Sequence, residues 1–455
     1  MEMILEFLRD VLSQPALLIG IMSCVGLIAL KRPFHKIMTG TLKPILGYLM
    51  LAAGAGVIVS NLDPLGKMIE HGFHITGVVP NNEAIVAVAQ KVLGVETMSI
   101  LVVGLLMNLL IARFTKFKYV FLTGHHSLFM ACLMSAVLGT AGLSGIELIL
   151  VGGFLMGAWS AISPAIGQSY TSKVTDGDEI ALGHFGSLGY YLSAWVAKYV
   201  GKAEDSTEDI EIPEKWGFLR DSTLSTALTM IVFYLIAALA AGSEFVATLS
   251  GSMSPYLFAV MSAMNFAVGV AIVYSGVRMI LGDLIPAFQG IATKIIPNAI
   301  PAVDCAVFFT YAPTAVVLGF ISSFIGGIIG MLILGAVGGV LIIPGLVPHF
   351  FCGATAGIYG NATGGRRGAA VGAFLNGLAI TFLPALALPV LGQLGFQNTT
   401  FGDADFAVMG LVLGHAFEWI GMAGIYGIVA IAALVLIIPN FIKTKGKVIN
   451  YVEEE

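Results

Sequence analysis

Long uncharged apolar runs alternate with short polar turns along nearly the whole chain. Unbroken runs occupy 148–172, 222–243, 368–402 and 419–442. A helix needs roughly 20 apolar residues to cross about 30 Å of hydrocarbon, so each run predicts a membrane-spanning helix. Shorter runs at 15–30, 44–60 and 97–112 predict further spans completed by their flanks. The pattern predicts an all-α polytopic membrane protein with ten or eleven passes. The 61 residues from Cys305 to Gly365 contain no Asp, Glu, Lys or Arg. Asp304 stands at the start of that uncharged stretch.

Two segments break the helical pattern. "GDLIPAFQGIATKIIPNAIPAVD" (282–304) contains three prolines, and "LIIPGLVPHFFCGATAGIYGNATGGRR" (341–367) combines two prolines with six glycines. Non-helical backbone at membrane depth survives only when it is buried in protein or lines a wet cavity, so both predict re-entrant structure along a pathway. The longest polar stretch, 201–222, holds seven acidic and three basic residues and divides the chain near its middle. The expected organisation is one membrane domain over 1–455: a first half to about 200, the linker 201–222, a second half over 223–442 and a tail at 443–455. "TKFKYVFLTGHH" (115–126) and "TKIIPNAIPAVD" (293–304) each lead a basic or proline-broken turn into an apolar segment with ionisable residues. Such pairing is expected of an inverted repeat, a plan that places a substrate site at mid-membrane.

Composition strengthens the membrane reading. Of 455 residues, 57% are hydrophobic and 11% charged, against about 25% charged in soluble domains. Mean hydropathy is +0.93. The net charge of -5 carries little information, because the placement of Lys and Arg sets orientation. Basic loops at 31–43 and 113–118, the pair Arg366 and Arg367, and the tail lysines 443, 445 and 447 predict a cytoplasmic carboxyl terminus with Met1 outside. "MEMILEFLRD" has acidic residues where a secretory signal carries basic ones, so no cleaved signal is expected. Cys24, Cys132, Cys305 and Cys352 lack ligand or disulfide spacing and read as small buried residues.

The chemistry-bearing residues are few. Asp304 suits a helix cap after Pro301, and equally a cavity-facing carboxylate, since ionisable groups in membranes usually mark a substrate or ion path. His125 and His126 are adjacent, so about 100° apart on a helix, and at most one is expected to face a given site; metal binding would favour i, i+4 spacing. His184 precedes an aromatic-rich amphipathic stretch that by itself reads as an interfacial helix. His415 and Glu418, at i, i+3, read as a buried hydrogen-bonded pair. No Walker loop, GxSxG or HExxH motif occurs. Neither a metal nor a cofactor is expected, and the chain reads as a transporter without covalent chemistry of its own.

"TGH" (123–125), "VTDG" (174–177) with "GH" (183–184), "AVDCAVFFTYAPTAVVLGF" (302–320) and "LIIPGLVPHFF" (341–351) resemble the membrane IIC component of the ascorbate-type phosphotransferase system (PTS). The resemblance runs in order over nearly the whole chain, including the polar linker. It implies a homodimer of roughly eleven-helix protomers in a bacterial inner membrane, each with a V-shaped scaffold and an elevator-like core domain. It implies that a separate IIB protein, charged through enzyme I, HPr and IIA, phosphorylates the sugar on the cytoplasmic side. The family's site residues fall on His125, His184 and Asp304. Phe129 and Phe185 stand where the ascorbate carriers have glutamines, and Asn82 and Glu83 replace a Thr-Tyr pair. The resemblance therefore implies L-ascorbate or a related small sugar, polyol or sugar acid as substrate. The competing expectations are an ion-coupled secondary transporter using Asp304 and Glu418, and a membrane-embedded enzyme.

Overall fold

The computed structural model describes residue 11 and residues 14–74, 77–80, 82–210, 222–392 and 399–441. Met1, linker residues 211–221 and the tail from 443, each part of an expectation above, lie outside the described residues. The helices are α1 Pro15–Ala29, α2 Phe34–Phe73, α3 Asn82–Phe114, α4 Gly124–Thr140, α5 Gly145–Thr175, α6 Ser187–Val200, α7 Ser222–Ala241, α8 Ser243–Ser250, α9 Pro255–Lys294, α10 Pro313–Ala336, α11 Leu346–Gly392, α12 Ala404–Ile420 and α13 Met422–Phe441. Helices dominate because a chain in hydrocarbon must satisfy its backbone polar groups internally. Leu239, Leu332 and Ile431 stay largely exposed, as lipid-facing side chains do.

Among the described residues, seven helices are long and apolar enough to cross a membrane. The number is eight if α7 and α8, bent by 117°, form one broken span. Hydropathy suggests ten or eleven passes, more than the helices that are by themselves long and apolar enough. The 17-residue α4 is apolar but buried almost all round, and the 14-residue α6 packs Tyr190, Tyr191 and Ala194 against the interior. The segment after His184 is amphipathic as expected, with one face packed inside and Leu192, Trp195 and Tyr199 exposed on the other.

α11 is two arms joined by a sharp break at Gly364 (φ -145°, ψ 17°) and Gly365 (φ 59°, ψ -154°). The arms fold back on each other: a Cβ on Gly360 would lie 2.4 Å from the carbonyl oxygen of Gly368. In a straight helix those residues would be about 12 Å apart along the axis. The start of the polar linker straps this break. Arg366 donates its amide to the Asp205 carbonyl at 2.8 Å, Thr207 donates its amide to Asn361 at 2.8 Å, and Glu208 accepts the amides of Thr314 and Ala315 at the start of α10. A Cβ at Gly365 would sit 2.3 Å from the Lys202 carbonyl oxygen. Gly365→Ala should therefore lower the apparent melting temperature in detergent by an amount matching about 1–3 kcal/mol, the size typical of such backbone strain. An unchanged melting temperature would show that the strap relaxes freely.

Hydropathy gives no hint of the short strands: β1 Val79–Pro80, β2 Tyr119–Phe121, β3 Ala181–Leu182, β4 Ile300–Val303 and β5 Thr399–Thr400. β4 is the centre of a three-stranded parallel sheet with β2 and β3 at its sides, pairing Phe121 and Ala181 with Ala302. β1 pairs with β5, also in parallel. Of the proline-broken segment before Asp304, residues 282–294 continue α9 through Pro286 and only 300–303 form a strand, which joins sequences from before and after the polar linker.

Candidate functional site

Each strand of the three-stranded sheet runs directly into a residue singled out by the sequence. β2 leads through Thr123 into the first turn of α4, which carries His125 and His126; β3 leads to Gly183 and His184; β4 leads to Asp304. Because the strands are parallel, their carboxyl ends lie together, and so do these residues. The register is held beyond the strands by the Leu122 amide on the Ala302 carbonyl (2.9 Å) and the Gly183 amide on the Val303 carbonyl (2.7 Å). The residues meet at a cavity of about 610 Å³, whose walls include His125, His126, Phe129, His184, Asp304 and Asp403. That volume is in the range of small-molecule sites.

Asp304 serves two purposes with two oxygens. Its Oδ1 accepts the Ala306 amide at 3.1 Å and caps the 3₁₀ turn Cys305–Thr310, while its Oδ2 lies 3.4 Å from Nε2 of His125. On the other side of that ring, the Tyr48 hydroxyl of α2 is 3.4 Å from Nδ1. His125 is partly exposed to the cavity and His126 is buried, yet both line it. The expectation that only one would do so fails because the pair sits at the very start of α4, where the rings lie edge to face at 4.8 Å and fan into the same space.

His184 is almost fully buried. Its Nδ1 accepts the Gly186 amide at 3.1 Å and lies 2.9 Å from the Tyr190 hydroxyl. The loop carrying it is pinned by Asp405. That carboxylate accepts hydrogen bonds from the Ser187 hydroxyl (2.7 Å), the Leu188 amide (2.9 Å) and the Trp159 indole (3.1 Å), and the Asp405 amide donates to the Phe185 carbonyl at 2.9 Å.

Asp403 is the cavity residue that the sequence reading missed. Its Oδ1 accepts the Cys352 thiol at 2.9 Å and its Oδ2 accepts the Asn82 amide at 2.6 Å. Asn82 in turn accepts the Gly402 amide at 2.9 Å, so it clamps the start of α3 to the loop before α12. The signal was present in "FGDADF" (401–406), two acids in an apolar stretch, to which the argument applied to Asp304 extends. The side chain of Glu83 lies outside the described ones. Cys305 and Cys352 are buried, as expected, and both also line the cavity.

The two divergent phenylalanines part company. Phe129 lines the cavity, 5.7 Å from the His125 ring. Phe185 has no exposed surface and stacks on Phe121 at 4.6 Å, so its side chain points into the core and only its backbone serves the site. Phe185→Gln should therefore destabilise the fold, since a buried unpaired amide costs about 1–3 kcal/mol, while Phe129→Gln, whose amide can reach the cavity, should cost less stability and alter ligand selectivity. Melting curves and binding of both variants check this; equal stability would place the Phe185 side chain elsewhere. His415 and Glu418 do form a 3.0 Å hydrogen bond, but on an exposed face of α12 and away from the cavity, with His415 stacked on Trp419.

A largely apolar cavity carrying a few ionisable side chains, enclosed among long apolar helices, defines a multi-pass helical membrane protein with room for a small molecule. Residues 10–405 match the sequence profile of EIIC-GAT, the PTS system sugar-specific permease component, and the chain belongs to that family. It is also 27% identical over 417 residues to a protein of Mycoplasma pneumoniae (strain ATCC 29342 / M129 / Subtype 1), the ascorbate-specific PTS system EIIC component, an alignment covering 78% of this chain and 62% of that relative. The chain thus spans less than two thirds of the relative's length.

Proposed function

We propose that the chain is a IIC permease that carries L-ascorbate or a related small sugar, polyol or sugar acid across the bacterial inner membrane, for phosphorylation by a separate IIB protein charged through enzyme I, HPr and IIA. The observation that supports this most is the convergence of His125, His184 and Asp304 on one cavity in a chain of this family. In this reading the imidazoles supply donors, Asp304 and Asp403 accept from hydroxyls, and Phe129 gives a flat apolar wall for a sugar face. The chain itself makes and breaks no bond.

The same reading includes an inverted repeat, a V-shaped scaffold with an elevator-like core, a homodimer and about eleven passes in all. It also places the basic loops in the cytoplasm. Lys116 donates its amide to Asn440 near the end of α13 at 2.9 Å, so the 113–118 loop and the approach to the basic tail share one end of the molecule, as that orientation requires.

Uptake into vesicles tests the proposal. With phosphoenolpyruvate and the soluble partners present, the expected product is a phosphorylated sugar, and no accumulation should occur without them. Gradient-driven accumulation of unmodified solute would overturn the proposal in favour of an ion-coupled carrier.

A further inference from the structure

His126 is assigned no role by the resemblance or by the family, yet its surroundings fix its chemistry. Its Nδ1 accepts the Phe185 backbone amide at 3.4 Å, and Nδ1 of His184 accepts the next amide along the same loop, that of Gly186. A backbone N–H can only donate. Each Nδ1 must therefore be unprotonated, and a neutral ring then carries its proton on Nε2. The rings are 3.8 Å apart, and His126 is also stacked on Phe406 at 5.7 Å, so neither can turn over without losing its amide partner.

We propose that His126 is a specificity-determining residue, which together with His184 presents two fixed Nε2–H donors side by side to one accepting oxygen of the substrate. This rests on the reading of the cavity as the sugar site. Hydroxyls both donate and accept, but an enolate, carboxylate or carbonyl oxygen only accepts, and a charged acceptor roughly doubles the strength of each bond. Asp304 and Asp403, in the same cavity, take up the donating hydroxyls. The substrate class that fits is a small polyhydroxy compound with one anionic or carbonyl oxygen. The same geometry argues against a metal: ligand atoms of His126, His184 and Asp403 come within 4.8 Å of one another, but a ring held with its proton on Nε2 and its Nδ1 lone pair engaged has no electron pair left for an ion.

Nitrogen-15 NMR of histidine-labelled full chain in nanodiscs reads the tautomers directly. Unprotonated Nδ1 and protonated Nε2 signals are expected for both residues, and a protonated Nδ1 on either would overturn the inference. Binding of ascorbate and of a neutral hexitol to wild type, His126→Phe and His126→Asn reads the role. His126→Phe keeps the ring stack and should weaken ascorbate roughly tenfold to a hundredfold while affecting the hexitol far less, and His126→Asn, which keeps a donor, should recover part of the loss. If His126→Phe does not fold, His126→Asn alone should still shift the ascorbate-to-hexitol preference. Ascorbate binding that needs Asp304 and His184 but is indifferent to His126 would overturn this inference alone. A wild type that binds neither compound, nor pentoses or sugar acids, would overturn the sugar-site reading and the inference with it.

Discussion

Asp304→Asn is expected to weaken substrate binding roughly tenfold to a hundredfold while leaving the fold intact, the loss matching one charge-assisted hydrogen bond of about 1.5–3 kcal/mol. The separation of effects follows from the two oxygens. An asparagine retains the oxygen that accepts the Ala306 amide and caps the 3₁₀ turn, whereas its amide nitrogen replaces the oxygen facing His125. Asp304→Ala removes both and should add a capping loss of about 1 kcal/mol. Ligand titration alongside thermal unfolding checks the pair. An asparagine variant that binds normally but melts early would reduce Asp304 to a cap.

The largest structural loss is expected from Asp405→Ala. Ser187, Leu188 and Trp159 would each be left with a donor aimed at a cavity closed to water, at about 1–3 kcal/mol apiece. A total of about 3 kcal/mol or more is a large part of the 5–15 kcal/mol that stabilises a typical domain. The loop 183–188 would lose its anchor, and with it the amides that orient His126 and His184. Poor yield or a much lower melting temperature is the expected result, with Asp405→Asn intermediate because it keeps the shape and an acceptor. A loss below about 1 kcal/mol would show that the loop is held by its packing alone.

Most of the fold class was legible in the sequence because hydrocarbon imposes a length and a polarity on each crossing. The breaks around Pro297, Pro301 and Pro344 were legible too, since proline removes a backbone donor, although Pro286 and Pro164 stand inside continuous helices. The candidate site was partly so: Asp304, His125 and His184 stand out as ionisable groups in apolar sequence, and Asp403 met the same criterion unnoticed. Tyr48 carried no signal at all, being one of 13 tyrosines. Phe129 sits one helical turn from His125 and shares its face, but nothing local places Phe185, whose ring direction depends on Phe121, 64 positions away.

By itself, then, the sequence determined that this is a multi-pass helical membrane protein of a PTS permease family, with its polar chemistry concentrated at a few breaks. The helical membrane character is a consequence of composition and local pattern, which a bilayer reads one segment at a time, whereas the family rests on the resemblance of particular motifs. Only the tertiary structure decided that three short parallel strands bring residues 125, 184 and 304 to one cavity, that Asn82 clamps Asp403, and that both neighbouring histidines share the site. Those facts depend on pairing between residues some 60 to 320 positions apart. Register between such distant segments is set by backbone hydrogen bonds and by the space that small residues such as Gly183 leave, and neither is written in hydropathy.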